Sequence, residues 1–273
     1  MKNKEILNSQ GLFLSGPDLK EDVLRLKSEL NRELMFVAKT VWARLMPESA
    51  LNLDQMGKAD AHAKNISEYL SFIHQLEEKN KVTKACYEIF PSLPKVLGLA
   101  SHPLIEKIVK QAGINNSQVG TIPVVRIDRP HEDFRLTPWH RDYWFSFLSE
   151  NSIVIWFPLG EVDQQMGLLK VIPGSHKIEN IPFRERDSSE PYEPIEDYDK
   201  HPGAIDVNCG IDQMLIFSQK LLHKSGVNRS QKIRVSIQLR FNDISDIASM
   251  TSSFGVSTSQ YSKEAQIKAL KNS

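Results

Sequence analysis

His140 and Asp142 lie two positions apart in Thr137-Pro138-Trp139-His140-Arg141-Asp142-Tyr143-Trp144. On an extended backbone, side chains at i and i+2 leave the same face, about 6–7 Å apart at the backbone. An imidazole and a carboxylate placed this way suit two neighbouring ligands of one metal ion. A pair alone holds a metal weakly, so a third ligand must come from elsewhere. His223, in Leu221-Leu222-His223-Lys224-Ser225-Gly226, offers one. Two histidines and one carboxylate on one face of an octahedron leave three positions open, which is the arrangement of non-haem Fe(II) oxygenases. By itself, a His-x-Asp triplet is a weak signal, and more often describes a surface histidine beside an acid.

Context separates the two. Arg234 lies eleven residues past His223, at the start of a strictly alternating run. Val235, Ile237, Leu239 and Phe241 fall on one face and Arg234, Ser236, Gln238 and Arg240 on the other. That pattern predicts a strand with one oily and one polar face. Asn228-Arg229-Ser230-Gln231 reads as a tight turn before it. A hairpin centred there would set Ser225 opposite Arg234 and His223 opposite Ser236. Ligand, hydroxyl and guanidinium would then line one cavity. A fixed-charge fork of this kind suits the carboxylate of a cosubstrate.

Together with the run Gly167-Leu168-Leu169-Lys170-Val171-Ile172-Pro173-Gly174-Ser175-His176, these motifs resemble the phytanoyl-CoA dioxygenase family of Fe(II)- and 2-oxoglutarate-dependent oxygenases. The resemblance spans roughly residues 119 to 242 and rests on four separated elements in order. It implies Fe(II) held by His140, Asp142 and His223. It implies 2-oxoglutarate as cosubstrate, with its far carboxylate on Arg234 helped by Ser225, and Trp156 lining the cavity near it, although a core tryptophan fits Trp156 equally well. O2 is the co-reactant and ascorbate an accessory reductant. Succinate and carbon dioxide would leave as a C–H bond is hydroxylated. Halogenating members of the family carry a small residue where this chain has Asp142, so hydroxylation or a desaturation variant is expected. Two rival readings are a jelly-roll binding module that keeps a metal without the reaction, and a zinc hydrolase using the same triad. Neither gives a reason for Arg234 and Ser225.

The other histidines fit the site less well. His176 follows a Pro-Gly-Ser turn, His201 precedes a proline, and His62, His74 and His102 fall in helical stretches. For substrate contacts, Tyr143 and Trp144 beside the metal are candidate walls. Arg126 shares a strand face with Val124 and Asp128; it either meets an anionic part of the substrate or pairs with Asp128 or Asp142.

Behind these residues the chain must supply a scaffold. Its 273 residues fit one larger domain. We expect mostly helical support over residues 1–115, barrel core over 119–242 and a tail over 243–273. Leu12, Phe13 and Leu14 suggest a first strand within residues 5–16. Asp18 would cap a helix running to Leu45, with Val23, Leu26, Leu30, Leu34, Val37 and Val41 at helical spacing. A second helix is expected from about Asp54 to Lys79, further helices over 82–99 broken at Pro91 and Pro94, and a short one from Pro103 to Gln111 stopped by Gly113. Residues 177–208 read as a long irregular loop, Gln213–Ser218 as a strand, and Lys263–Lys271 as a short terminal helix. Polar-in, apolar-out strands need helices on their oily outside. The fold class is therefore mainly β with helices: a double-stranded β-helix, or jelly roll, with N-terminal helices on its major sheet.

Lys and Arg balance Asp and Glu at 34 each, which removes any electrostatic case for nucleic acid or a membrane surface. Two cysteines, no CxxC and no leader-like apolar start point to the cytoplasm. The expected partner is a small-molecule substrate. Its identity, the position oxidised and the oligomeric state are not encoded in these patterns.

Overall fold

A computed structural model describes residues 2–47, 53–77, 79–132, 136–144, 149–185 and 192–245. Its centre is the strand β11 (Arg234–Asp243), the alternating run that begins at Arg234. One edge of β11 pairs antiparallel with β4 (Ser152–Pro158). The other edge takes β3 (Val124–Asp128) and then β2 (Ser117–Val119). β9 (Leu215–Ser218) continues the sheet beyond β4, and β1 (Leu12–Leu14) closes that side. The second sheet is built from β10 (His223–Lys224), β5 (Leu169–Val171) and β8 (Ile205–Val207). A hairpin of β6 (Phe183–Glu185) and β7 (Tyr192–Pro194) stands apart from both.

Period-two alternation separates the two faces of the major sheet. Val125, Ile127, Ile153, Ile155, Phe157, Ile216, Val235, Ile237, Leu239 and Phe241 join one apolar cluster with the helices. Those helices are α1 (Lys2–Gln10), α2 (Lys20–Leu45), α3 (Leu53–His62), α4 (Ile66–Leu76), α5 (Lys81–Ile89), α6 (Pro94–Leu97) and α7 (Pro103–Gln111). Each fully buried aliphatic side chain here contributes about 1.5–3 kcal/mol. Polar pins fix where the helices sit: Val235 N–H donates to Ser67 Oγ at 3.1 Å, Ile233 N–H to Ser71 Oγ at 2.7 Å, and Asn31 Nδ2 to the Leu159 carbonyl at 2.9 Å. On the inner face, Val154, Trp156, Leu215 and Phe217 meet Leu169, Val171 and Val207 of the second sheet. The expected jelly roll with helices on its major sheet is the fold observed.

Local expectations diverge in four places. Residues 2–10 form α1, so the first strand is confined to Leu12–Leu14. Asp18 does not cap α2: it lies inside a 3-10 turn, Pro17–Leu19, and the helix starts at Lys20 with no side-chain cap. The helix expected over 54–79 is divided. Asn65 Oδ1 accepts Glu68 N–H at 3.0 Å, and Glu68 Oε2 accepts Lys64 N–H at 2.7 Å, so Asn65-x-x-Glu68 starts α4 afresh. Residues 177–208 are not irregular throughout, since they carry β6, β7, β8 and a 3-10 turn at Tyr198–Lys200. The breaks at Pro91 and Pro94 and the helix Pro103–Gln111 match expectation, and the strand expected over Gln213–Ser218 forms over Leu215–Ser218. The terminal helix at Lys263–Lys271 lies outside the described residues.

A larger correction concerns the expected hairpin between His223 and Arg234. His223 pairs with Val171 in the second sheet, whereas Arg234 pairs with Asp128 in the first. Between them the chain crosses from one sheet to the other. Asn228 organises the crossing: its Nδ2 donates to the carbonyls of Asp128 and Lys232, and its Oδ1 accepts from Ser230. An Asn satisfying backbone groups in this way stabilises a turn without strand pairing.

Candidate metal centre

His140 lies at an isolated antiparallel bridge to His223. Their backbones exchange both hydrogen bonds, His140 N–H to His223 O at 2.9 Å and the reverse at 3.0 Å. Asp142 does not continue a strand; it begins a 3-10 turn, Asp142–Trp144. The turn still brings its carboxylate beneath the two rings. Asp142 Oδ1 is 3.6 Å from His140 Nε2, and Oδ2 is 3.9 Å from His223 Nε2. One ligand atom from each of the three residues falls within 4.8 Å of the other two.

Second contacts orient these groups. His140 Nδ1 lies 2.8 Å from the Pro138 carbonyl and His223 Nδ1 2.9 Å from the Leu221 carbonyl. A carbonyl only accepts, so each Nδ1 carries the proton and each Nε2 presents a lone pair. Phe217 packs edge-on against the His223 ring at 4.7 Å. Burial, reinforced by nearby His140, pushes the His223 pKa down to about 3, which leaves a neutral ligand at ordinary pH. Burial opposes the charge on Asp142, but the Arg240 guanidinium beside it favours the anion, and the carboxyl is held well below the usual range. Two imidazole Nε2 atoms and one anionic carboxylate are a donor set that fits Fe(II) or Zn(II).

Arg234 is buried on the same side of the major sheet. Its Nε and Nη2 donate to Asp128 Oδ2 at 3.1 and 2.9 Å, and its Nη1 to the Gly167 carbonyl. Arg126 Nη2 donates to Asp128 Oδ1 at 2.9 Å and its Nη1 to Thr137 Oγ1 at 3.2 Å. Asp128 is a partner that Arg126 meets, as one of its expected pairings had it. Asp128 thus receives guanidinium donors on both of its oxygens. Trp156 sits between the sheets, in contact with the apolar cluster there. Ser225 is fixed through its N–H, which donates to the Thr137 carbonyl at 3.1 Å. Trp144 belongs to a buried cluster with Trp139, Ile181 and Tyr192, and Tyr143 lines a neighbouring cavity of about 730 Å³ with Arg141, Phe183 and Lys220. His176 and His201 are engaged elsewhere, His176 with Asn8 and His201 with Gly203.

Residue patterns missed several supports of this centre. Arg240 falls on the inward phase of β11, so its position was legible, but its hydrogen bond to Asp142 was not. Gly167 and Gly226 bring two backbones into contact where no side chain fits, behind the carbonyl that Arg234 meets.

The model of the family described as phytanoyl-CoA dioxygenase (PhyH) matches residues 44–236, well over half of the chain. The chain belongs to this family. Among its curated relatives, the peroxisomal phytanoyl-CoA dioxygenase of Bos taurus is 32% identical over 126 residues, 43% of this chain and 37% of that protein. A probable phytanoyl-CoA dioxygenase of Caenorhabditis elegans is 26% identical over 162 residues, 56% of this chain and 52% of the other. The match thus spans between about a third and about half of those relatives' length. Solved structures agree in fold. A non-heme monooxygenase, ThoJ in its apo form, has a TM-score of 0.56 at 13% identity, covering 99% of this chain and 100% of its own. EctD from S. alaskensis, also apo, has 0.53 at 16%, covering 90% and 77%. The epimerase SnoN in complex with Fe3+, alpha ketoglutarate and nogalamycin RO has 0.52 at 15%, covering 89% and 82%. Among the described residues, no helix of this phytanoyl-CoA dioxygenase family member is long and apolar enough to cross a membrane.

Proposed function

We propose that the chain is an Fe(II)- and 2-oxoglutarate-dependent dioxygenase that hydroxylates a C–H bond of a small molecule. The observation that carries this reading is the convergence of His140, Asp142 and His223 within 4.8 Å, with both Nε2 atoms freed for a metal by their Nδ1 contacts. Family membership and the donor chemistry support the same assignment. His140, Asp142 and His223 would hold Fe(II), which supplies the oxidation of substrate by O2 coupled to decarboxylation of 2-oxoglutarate to succinate and carbon dioxide.

The protein's own work is orientation and exclusion of water. Arg234, with Ser225 as helper, is assigned to the far carboxylate of 2-oxoglutarate. Arg234 is buried and its guanidinium already meets carboxylate and carbonyl oxygens, which supports that role. Trp156 walls the inner space from the sheet side. Arg126 is assigned to the anion end of the pocket, and Tyr143 and Trp144 to the substrate approach, where the 730 Å³ cavity adjoins them. His140, Asp142, His223 and Arg234 are all nearly sealed from solvent, which strengthens each charge interaction at the centre. A cytoplasmic location goes with this reading, supported by two buried free thiols, Cys86 and Cys209.

The test is succinate release from 2-oxoglutarate with Fe(II), O2 and ascorbate, screened against fractionated metabolite pools. Release that rises with one pool and vanishes in His140→Ala is expected. Turnover that zinc supports as well as iron would overturn the reading.

A further inference from the structure

Arg240 lies six residues past Arg234, on the same inward phase of β11. Its Nη2 donates to Asp142 Oδ1 at 2.9 Å and to Gln238 Oε1 at 3.1 Å. Its backbone is held from both sides, paired with Val154 of β4 and accepting Gly120 N–H at 2.8 Å. Asp142, by contrast, is carried on a single 3-10 turn. A stiff central strand therefore presents a guanidinium to a metal-ligand candidate whose own backbone support is short.

A carboxylate meets a metal through one oxygen or through both. With one oxygen, the triad leaves three positions of an octahedron; with both, it leaves two. A chelating keto acid takes two and O2 needs the third. We propose that Arg240 is a positioning residue: by holding Asp142 Oδ1 it keeps Asp142 a one-oxygen ligand and so preserves the position that O2 requires. This deepens the oxygenase reading and rests on it.

Arg240→Met and Arg240→Lys test the assignment anaerobically. Fe(II) is titrated alone, then 2-oxoglutarate is added while the visible charge-transfer band is followed, with a thermal melt of each apoprotein. In Arg240→Met, Fe(II) affinity should stay within a few fold of the original. Its 2-oxoglutarate affinity should also hold, because two positions remain for the chelate, whereas the rate at which O2, admitted afterwards, bleaches the band should fall about 10–100-fold. The band should move, and Arg240→Lys, which restores a donor, should recover most of the loss. Should Arg240→Met not fold, Arg240→Gln carries the same expectation. An unchanged band and an unchanged rate of bleaching by O2 in Arg240→Met overturn the proposal. A parallel fall of Fe(II) affinity, 2-oxoglutarate affinity and melting temperature in Met and Lys variants alike also overturns it, marking a purely structural residue. A band in the unmodified protein with no change in the variants sinks this inference alone; no band in the unmodified protein sinks the oxygenase reading with it.

Discussion

The backbones of His140 and His223 hydrogen-bond to each other in both directions, which sets their ring centres 4.1 Å apart. The two proposed ligands are neighbours through their main chains before any metal arrives. Each imidazole is then turned by a carbonyl two residues before it, Pro138 for one and Leu221 for the other.

Removing one ring should therefore leave the scaffold standing. For His140→Ala and His223→Ala, apoprotein stability should change by no more than about 2 kcal/mol, while Fe(II) affinity falls by about 100-fold or more. Denaturant unfolding and metal titration on the same samples check this. Unfolded variants would show that the rings, not the backbone pair, hold the sheets together.

Asp128 is the anion between two buried cations. Burial opposes its charge, but Arg126 and Arg234 together hold its pKa down at about 2. Asp128→Asn removes the carboxylate held between the two guanidinium groups, at a cost of about 3–5 kcal/mol. The far carboxylate of 2-oxoglutarate would replace the missing anion, so the ligand should raise the melting temperature more in this variant than in the original protein. Equal shifts in the two proteins would argue against Arg234 as the keto-acid partner.

Lys27 gives a pH dependence. Its ammonium is buried, donates to the Gln213 carbonyl at 2.7 Å and lies 5.7 Å from the centre of the Phe157 ring. Burial lowers its pKa from 10.5 to about 8, against partial opposition from Cys209, Asp212 and Glu161. The folded chain thus loses this proton near pH 8 and the unfolded chain near 10.5. Between those values the unfolded state binds more protons, and stability rises with pH. Lys27→Met should be about 1–2 kcal/mol more stable at pH 7, with the advantage shrinking from pH 8 to 10.5. A constant difference across that window would count against a buried charged lysine.

Two glycines separate clash from backbone strain. A Cβ on Gly226 would run into the Leu168 carbonyl oxygen and come within 2.8 Å of the Gly167 carbonyl carbon, both of them backbone. At Gly174, φ is +82° but nothing lies within 4 Å. Gly226→Ala should cost about 3 kcal/mol by forcing a backbone shift, and Gly174→Ala only about 1 kcal/mol, from conformation alone. Chemical denaturation of both variants decides. Equal costs would mean that the Gly167–Gly226 contact is looser than it stands here.

Periodicity made the major sheet legible: the alternation from Val235 to Phe241 and the polar phase of Arg234 and Arg240 hold residue by residue. The proposed ligands were legible as residue types at a spacing, although Asp142 sits on a turn and not on the strand that motivated the i, i+2 argument. Pairing was not legible. His223 and Arg234 look like two arms of a hairpin because a turn sequence separates them, but Asn228 spends its amide on the chain's crossing between sheets. The Asn65 cap was overlooked because helical apolar spacing continues on both sides of it. Long-range partners such as Asp142–Arg240 and Arg234–Gly167 depend on which sheets face each other, and local pattern carries no information on that.

The most direct measurement is an anaerobic crystal structure of the protein with Fe(II) and 2-oxoglutarate. The account predicts one iron bonded to His140 Nε2, His223 Nε2 and the Asp142 carboxylate, with the keto acid chelating that iron and its far carboxylate on Arg234. Iron bound elsewhere, or a keto acid whose far carboxylate points away from Arg234, would contradict it.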